Sequence, residues 1–320
     1  MKNRKFLWKL VCAGALAAAL LGGCGKKDTS EQEAYRQYGI NCMESGNYED
    51  AVNAFQKTLD LSVGGITNLE IDTCYYKAEA QYLSGDIDGA FETYNALIAY
   101  DELAKAYYLR GCLYFSTGEQ EKGLADLKSA AENAENDYEL YIALYETMAQ
   151  YGKGVEGQVY LNQALEIKGE DSKDLLYKGR VYALLGEQEK AISNLEAAVE
   201  KGEVKANFYM AQIYASQGND SMAQTCFQAY LKSGQASSEE LCSMGELQMA
   251  NKDYDTAITY FKSALELEGI GNRQHIMKNL IIAYESSHDF KEAKHVMEKY
   301  QKEFPEDEEA KKEATFLETR

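Results

Sequence analysis

Residues 35–61 read YRQYGINCMESGNYEDAVNAFQKTLDL. Tyr35, Tyr38, Gly39 and Cys42 recur at three- and four-residue steps, so they share one face of a helix. Gly46 ends that helix, because glycine readily takes the left-handed conformation a helix terminus needs. Asn47 then reads as the N-cap of a second helix, with Asp50 in its first turn. Ala51, Phe55, Thr58 and Leu59 mark one apolar stripe on it. Ala51 lets two helix backbones approach closely, and Phe55 fills the space beside that contact. The stretch is a helical hairpin.

The hairpin is written eight times. Its second-helix small slot reads Ala51, Ala90, Gly123, Gly157, Ala191, Ala223, Ala257 and Ala293, at spacings of 39, 33, 34, 34, 32, 34 and 36 residues. Twelve residues upstream lies the matching first-helix slot: Gly39, Ala78, Gly111, Tyr145, Gly179, Ala211, Gly245 and Ile281. The turn glycine returns as Gly85, Gly118, Gly152, Gly186 and Gly218, with Lys252 and His288 in its place in the last two copies. The bulky residue after the small slot returns as Tyr94, Leu127, Leu161, Leu195, Phe227, Phe261 and Met297. A period near 34 residues held in several slots at once marks a stacked helical array, an architecture that acts through an extended surface.

This pattern resembles the tetratricopeptide repeat family, most closely at Tyr254, Ala257, Tyr260, Phe261, Ala264, Leu265 and Leu267, with Pro305 where that family commonly places a proline. The resemblance implies an all-α superhelical solenoid of about eight helix-turn-helix repeats over residues 32–305, with residues 306–320 as a C-terminal capping helix. The fourth copy departs from it. Tyr145 fills the small slot, and Gly152, Gly154 and Gly157 crowd the turn, which predicts looser packing there. The spacers 62–68 and 233–238 read as inter-repeat turns, the second closing on a Ser237–Glu240 capping box. Pro305 is expected at a first helical position, followed by Glu306, Asp307, Glu308 and Glu309.

The N-terminus is a separate object. Lys2, Arg4, Lys5 and Lys9 precede an apolar run from Leu10 to Leu21, the form of a secretory leader and too short for an ordinary membrane span. Leu21-Gly22-Gly23-Cys24 resembles the lipobox of bacterial lipoproteins, which implies diacylglycerol transfer to the Cys24 sulfur and removal of residues 1–23. Residues 24–31 would then be a lipidated tether of about 25 Å at full extension, holding the array close to the outer face of the cell membrane. The whole chain carries 33 basic and 52 acidic residues, and the cleaved one 29 against 52. That charge repels phosphate backbones, so nucleic acid is excluded as a partner.

Signatures of chemistry are scarce. Gly-x-Ser-x-Gly, His-Glu-x-x-His and phosphate-loop patterns do not occur, and His275, His288 and His295 share no obvious face. No cofactor, metal or small-molecule substrate is expected, and Cys226 with Cys242 is the one cysteine pair joined by a single inter-helix turn. The family resemblance instead implies a concave face lined by first helices. The matching residues here are Tyr75, Glu79, Tyr82, Tyr108, Cys112, Phe115, Ile142, Arg180, Phe208, Glu246 and Met249. Aromatic side chains concentrate binding energy, but Tyr75 and Tyr108 suit packing between first helices equally well. The functional expectation is a scaffold for protein or peptide partners in an envelope complex. An accessory to an envelope enzyme and a purely structural spacer remain as alternatives. Since stable anchoring takes more than one acyl chain, Cys24→Ser is expected to release the protein from membranes or leave an unprocessed precursor. Fractionation and mass measurement of the variant check this, and normal processing with membrane retention contradicts it.

Overall fold

A computed structural model describes residues 29–62, 65–267 and 272–318. The leader, Cys24 and most of the tether lie outside the described residues. Every described element is a helix, and the chain divides into two compact units, one ending at Lys168 and one beginning at Gly169. The first holds four hairpins: α1 (Ser30–Glu44) with α2 (Tyr48–Asp60), α3 (Asn68–Ser84) with α4 (Ile87–Asp101), α5 (Ala104–Ser116) with α6 (Gln120–Glu132), and α7 (Tyr138–Gln150) with α8 (Gly154–Glu166). The second holds α9 (Ser172–Leu184) with α10 (Gln188–Glu200), α11 (Ala206–Ser216) with α12 (Asp220–Lys232), α13 (Ser238–Ala250) with α14 (Tyr254–Glu266), and α15 (Arg273–Ser286) with α16 (Phe290–Glu303). A last helix, α17 (Glu308–Glu318), packs on α16 and buries Ala310 and Leu317. Within each unit the hairpins stack in sequence order, the solenoid mode of construction.

The slots explain the hairpins. All eight second-helix slots are buried. Opposite them, a Cβ added at Gly39 would lie 2.5 Å from the Phe55 ring, one at Gly179 2.6 Å from Leu195, and one at Gly245 2.5 Å from the Phe261 ring. The first helix is therefore small where the second is large, and the ring occupies the volume a side chain would have taken. The fourth hairpin inverts the arrangement and is not loose. Tyr145 is half-buried, but a Cβ at Gly157 would meet Met148 at 2.7 Å and the Tyr145 ring at 3.4 Å. Glycine on the second helix makes the room that tyrosine on the first removes, and Leu161 remains fully buried.

All eight hairpin turns share one geometry. The residue after the turn glycine donates its N–H to a carbonyl five residues back, from Asn47 to Cys42, Asp86 to Gln81, and onward to Asp289 to Tyr284, at 2.8–2.9 Å. This closure of the helix end requires a left-handed residue. The six glycines have φ between 72° and 95°, while Lys252 and His288 are held at 64° and 65°. Second helices are capped unevenly. Asp86, Asn219, Asp253 and Asp289 accept a backbone N–H from three residues on, but Asn47 makes no such bond and is a cap in position only. Pro305 lies in a turn ahead of α17, not at its first position. The cap there is Asp307, whose Oδ1 accepts from the N–H groups of Glu309 and Ala310.

The spacers are ordered by carboxylates. Glu70 accepts from Gln32, Ser62 and the Thr67 backbone at 2.7–2.8 Å, tying the start of the second hairpin to the first. Ser237 and Glu240 form the expected reciprocal capping box. The five described cysteines outside the leader and anchor are free thiols, Cys226 and Cys242 among them.

Two outcomes follow from backbone strain and from one buried charge. A non-glycine residue in the left-handed region costs about 1–2 kcal/mol, partly offset by glycine's greater unfolded-state entropy. Lys252→Gly is expected to stabilise the protein by about 0.5–1 kcal/mol, read from denaturant titration by circular dichroism. An unchanged or lowered midpoint refutes the strain. Glu79 is 6% exposed and its Oε1 has no hydrogen-bond partner. Burial pushes its carboxyl from 4.5 up to about 7, against the pull of Lys105. The folded state thus binds this proton more tightly than the unfolded one. The associated stability is present at acid pH and is lost as pH rises from about 4.5 through about 7, amounting to at most about 3 kcal/mol. Glu79→Gln should therefore melt above the wild type at pH 8 and close to it at pH 5. Equal gaps at both pH values would mean the carboxyl titrates normally.

Candidate functional site

The first helices of these units touch one another as well as their own partners: α1 with α3, α5 with α7, and α9, α11, α13 and α15 in succession. At four junctions the side-chain contacts keep one slot register, while at α5–α7 Thr147, two after its slot, meets Tyr108 and Cys112. Residues six and two before the slot of one repeat reach residues three before and one after the slot of the preceding repeat. Each pair is one helical turn apart, so two side chains from each helix face two from its neighbour. Between α1 and α3, Arg36 pairs with Asp72 and lies 5.1 Å from the centre of the Tyr76 ring. Between α3 and α5, Lys105 sits 4.7 Å above the Tyr75 ring and next to buried Glu79. Between α9 and α11, the Arg180 guanidinium lies 4.8 Å from the Tyr209 ring and 5.6 Å from Tyr177 on its own helix. Between α13 and α15, Glu246 meets His275 at 2.6 Å and accepts from Asn279 at 3.0 Å.

Charged groups beside this row are held in defined states. Burial alone would raise the Glu240 carboxyl, but bonds from Lys205, the Ser237 backbone and Tyr230 hold it below the usual range. The Lys205 ammonium is correspondingly raised by Glu240, 2.8 Å away, against its own desolvation. Hydrogen bonds from Lys278 and Tyr300 hold Asp307 well below an ordinary aspartate, fixing the turn that leads into α17.

The expected lining residues divide into two groups. Tyr82, Arg180 and Met249 are half-buried and Glu246 is exposed, so all four are open to a partner. Tyr75, Glu79, Tyr108, Phe115 and Phe208 are buried, as are Cys112 and Ile142, and the expected patch of Tyr75, Tyr82, Tyr108 and Phe115 reduces to Tyr82. The three buried residues of the patch are covered in part by the next repeat, and Phe208 is covered within its own hairpin. Lys105 covers Tyr75; the Tyr108 hydroxyl hydrogen-bonds Thr147 at 3.2 Å; Phe115 stacks on Tyr151 at 4.5 Å. Phe208 lies among Tyr209, Tyr230 and Phe227 at 5.2–6.4 Å. For Tyr75 and Tyr108, packing is the role the structure supports. Missed were Tyr76, Tyr177, Tyr209 and Asn279, which share the register two residues before the slot. That shared register was the available signal. His275, expected as an isolated surface residue, faces Glu246 directly.

Comparison with known proteins concerns this same architecture. The sequence model of the family described as Tetratricopeptide repeat matches residues 104–137 and 241–269. Curated protein sequences gave no match. Among solved structures, the chain is similar to a tetratricopeptide repeat protein from Parabacteroides merdae, with 14% identity over 79% of this chain and 99% of that one and a TM-score of 0.49. It is similar to the C-terminal part of a repeat-containing protein from Cytophaga hutchinsonii, with 16% identity over 76% and 98% and a TM-score of 0.39. It is also similar to the Cut9–Hcn1 hetero-tetramer of the APC/C, with 13% identity over 98% of this chain and 59% of that one and a TM-score of 0.44. Two stretches of the chain, one in each unit, match the tetratricopeptide repeat model, and all eight hairpins share their slots and turns with those two stretches.

Proposed function

We propose that the protein is a lipid-anchored, extracytoplasmic scaffold that holds protein or peptide partners on its first-helix face, within a complex of the cell envelope. Tetratricopeptide arrays generally serve interaction rather than catalysis, and typically bind protein. The observation that carries the binding role is the cluster Tyr177, Arg180 and Tyr209. It presents two tyrosine rings and a guanidinium, all half-buried, on adjoining helices. Such groups are pre-ordered by their mutual contacts, so little rotamer entropy is lost when a partner covers them. The formal charge of −19 adds selectivity for a segment with basic residues. Anchoring rests on the lipobox-like sequence at Cys24 behind its basic and apolar leader.

The test is capture from solubilised membranes by the intact protein, followed by titration of the captured partner. Replacing both Arg180 and Tyr209 by alanine is expected to weaken binding roughly thirtyfold, corresponding to about 2 kcal/mol, while Glu200→Ala on the second-helix side changes little. Binding should also weaken as salt rises. Unchanged affinity in a double variant of normal helical content removes this cluster from the interface.

A further inference from the structure

The four-residue grip between α13 and α15 has a composition unlike the others. Cys242 and Glu246 stand one turn apart on α13, and His275 and Asn279 one turn apart on α15. The Cys242 Sγ, a Glu246 carboxylate oxygen and a His275 ring nitrogen all lie within 4.8 Å of one another. The thiol donates to Glu246 Oε1 at 3.8 Å, and that oxygen lies 2.6 Å from His275 Nε2. Asn279 Nδ2 is 3.0 Å from the same oxygen and 3.2 Å from the same nitrogen.

We propose that Cys242, Glu246 and His275 form a binding site for a divalent transition-metal ion, zinc being the one their donor set suits. Thiolate, imidazole and carboxylate together select zinc among the common divalent ions, since calcium and magnesium want oxygen alone. In a tetrahedral zinc site the bond lengths put donor atoms about 3.3–3.6 Å apart. The three groups here reach that spacing by small side-chain rotations. The close oxygen–nitrogen pair opens by less than about 1 Å as the ion enters between them, with neutral His275 binding through Nε2 and keeping its one N–H proton on Nδ1. The sulfur moves in by a few tenths of an ångström.

The two helices carrying the donors are packed on each other, so the site is largely preformed. Its two sides differ. Cys242 is buried at the base, while the side chains of Glu246 and His275 are 43% and 45% exposed, so an ion enters from solvent and keeps a water in its fourth position. Asn279 donates to Glu246 and orients the carboxylate, the usual office of a residue behind the ligands. Charge balances: thiolate and carboxylate contribute two negative charges against the ion's two positive ones. On binding, the Cys242 S–H bond breaks, its electron pair goes to the metal, and the proton passes to solvent. A bound ion would tie the last two repeats together on the face proposed for partners, and docking over Glu246 would then depend on metal.

The test uses the full chain in detergent, reduced, stripped of metal and titrated with cobalt(II). Expected are one equivalent bound, thiolate-to-cobalt charge-transfer absorption with the visible bands of a tetrahedral ion, and displacement by one equivalent of zinc. Cys242→Ser should abolish the charge-transfer band, and Cys226→Ser should leave it intact. Because Cys242 is buried and its variant could repack, His275→Gln at the surface is the second probe, expected to weaken cobalt and zinc binding at least tenfold with unchanged circular dichroism. Absence of the band in the wild type, its survival in Cys242→Ser, or unaltered affinity in His275→Gln overturns the site.

Discussion

The distance between the two helices of each hairpin is the quantity everything else inherits. It is set by a mismatch of side-chain size, glycine or alanine on one helix against a ring or branched chain on the other, as at Gly39 with Phe55 and Gly245 with Phe261. Neither partner alone would specify it. A large residue on both helices would push them apart, and a small one on both would leave a void. The fourth hairpin supports this view because it satisfies the same requirement backwards, with Gly157 yielding to Met148 and Tyr145. The small residue can therefore stand on either helix, as long as it faces a large one.

Fixing the hairpin also fixes which residues of successive first helices meet. At four junctions the same four positions are brought together, and their chemistry differs. One junction uses a guanidinium with a carboxylate and a tyrosine, another an ammonium over a ring, another a guanidinium over a ring, and another a thiol, carboxylate and imidazole. Fold and function are thereby separated within a few residues of each other. The slot belongs to the architecture, whereas the positions six and two before it and three before and one after it belong to whatever the surface does.

The architecture was legible because it is written in residues whose size or backbone freedom has no substitute. A buried alanine at 191, a glycine at 186 with positive φ and a leucine at 195 each report a local requirement, and the period multiplies the signal. The surface was less legible. Tyr75, Tyr108 and Phe115 are covered in part by the next repeat, through Lys105, Thr147 and Tyr151, and Phe115 also packs on Gly123 of its own hairpin. Residue type could not tell a packed tyrosine from a presented one, whereas the shared register of Tyr177 and Tyr209 could have. Capping failed for a similar reason. Asn47 has the right chemistry, yet its side chain makes no bond to the turn it precedes, and α17 starts at Glu308 behind the cap Asp307 instead of at Pro305.

The serial stacking also shapes how the molecule comes apart. Within each compact unit a hairpin leans on those next to it in the chain, and the apolar clusters fall within one unit or the other. Structure held by nearest neighbours opens piecemeal: one hairpin can exchange its amide hydrogens while those two removed from it stay protected. Opening energies should therefore grade along the sequence, lowest where a helix has a neighbour on one side only. Such grading would let tension or a bound partner peel away a few helices and return them without unfolding the rest.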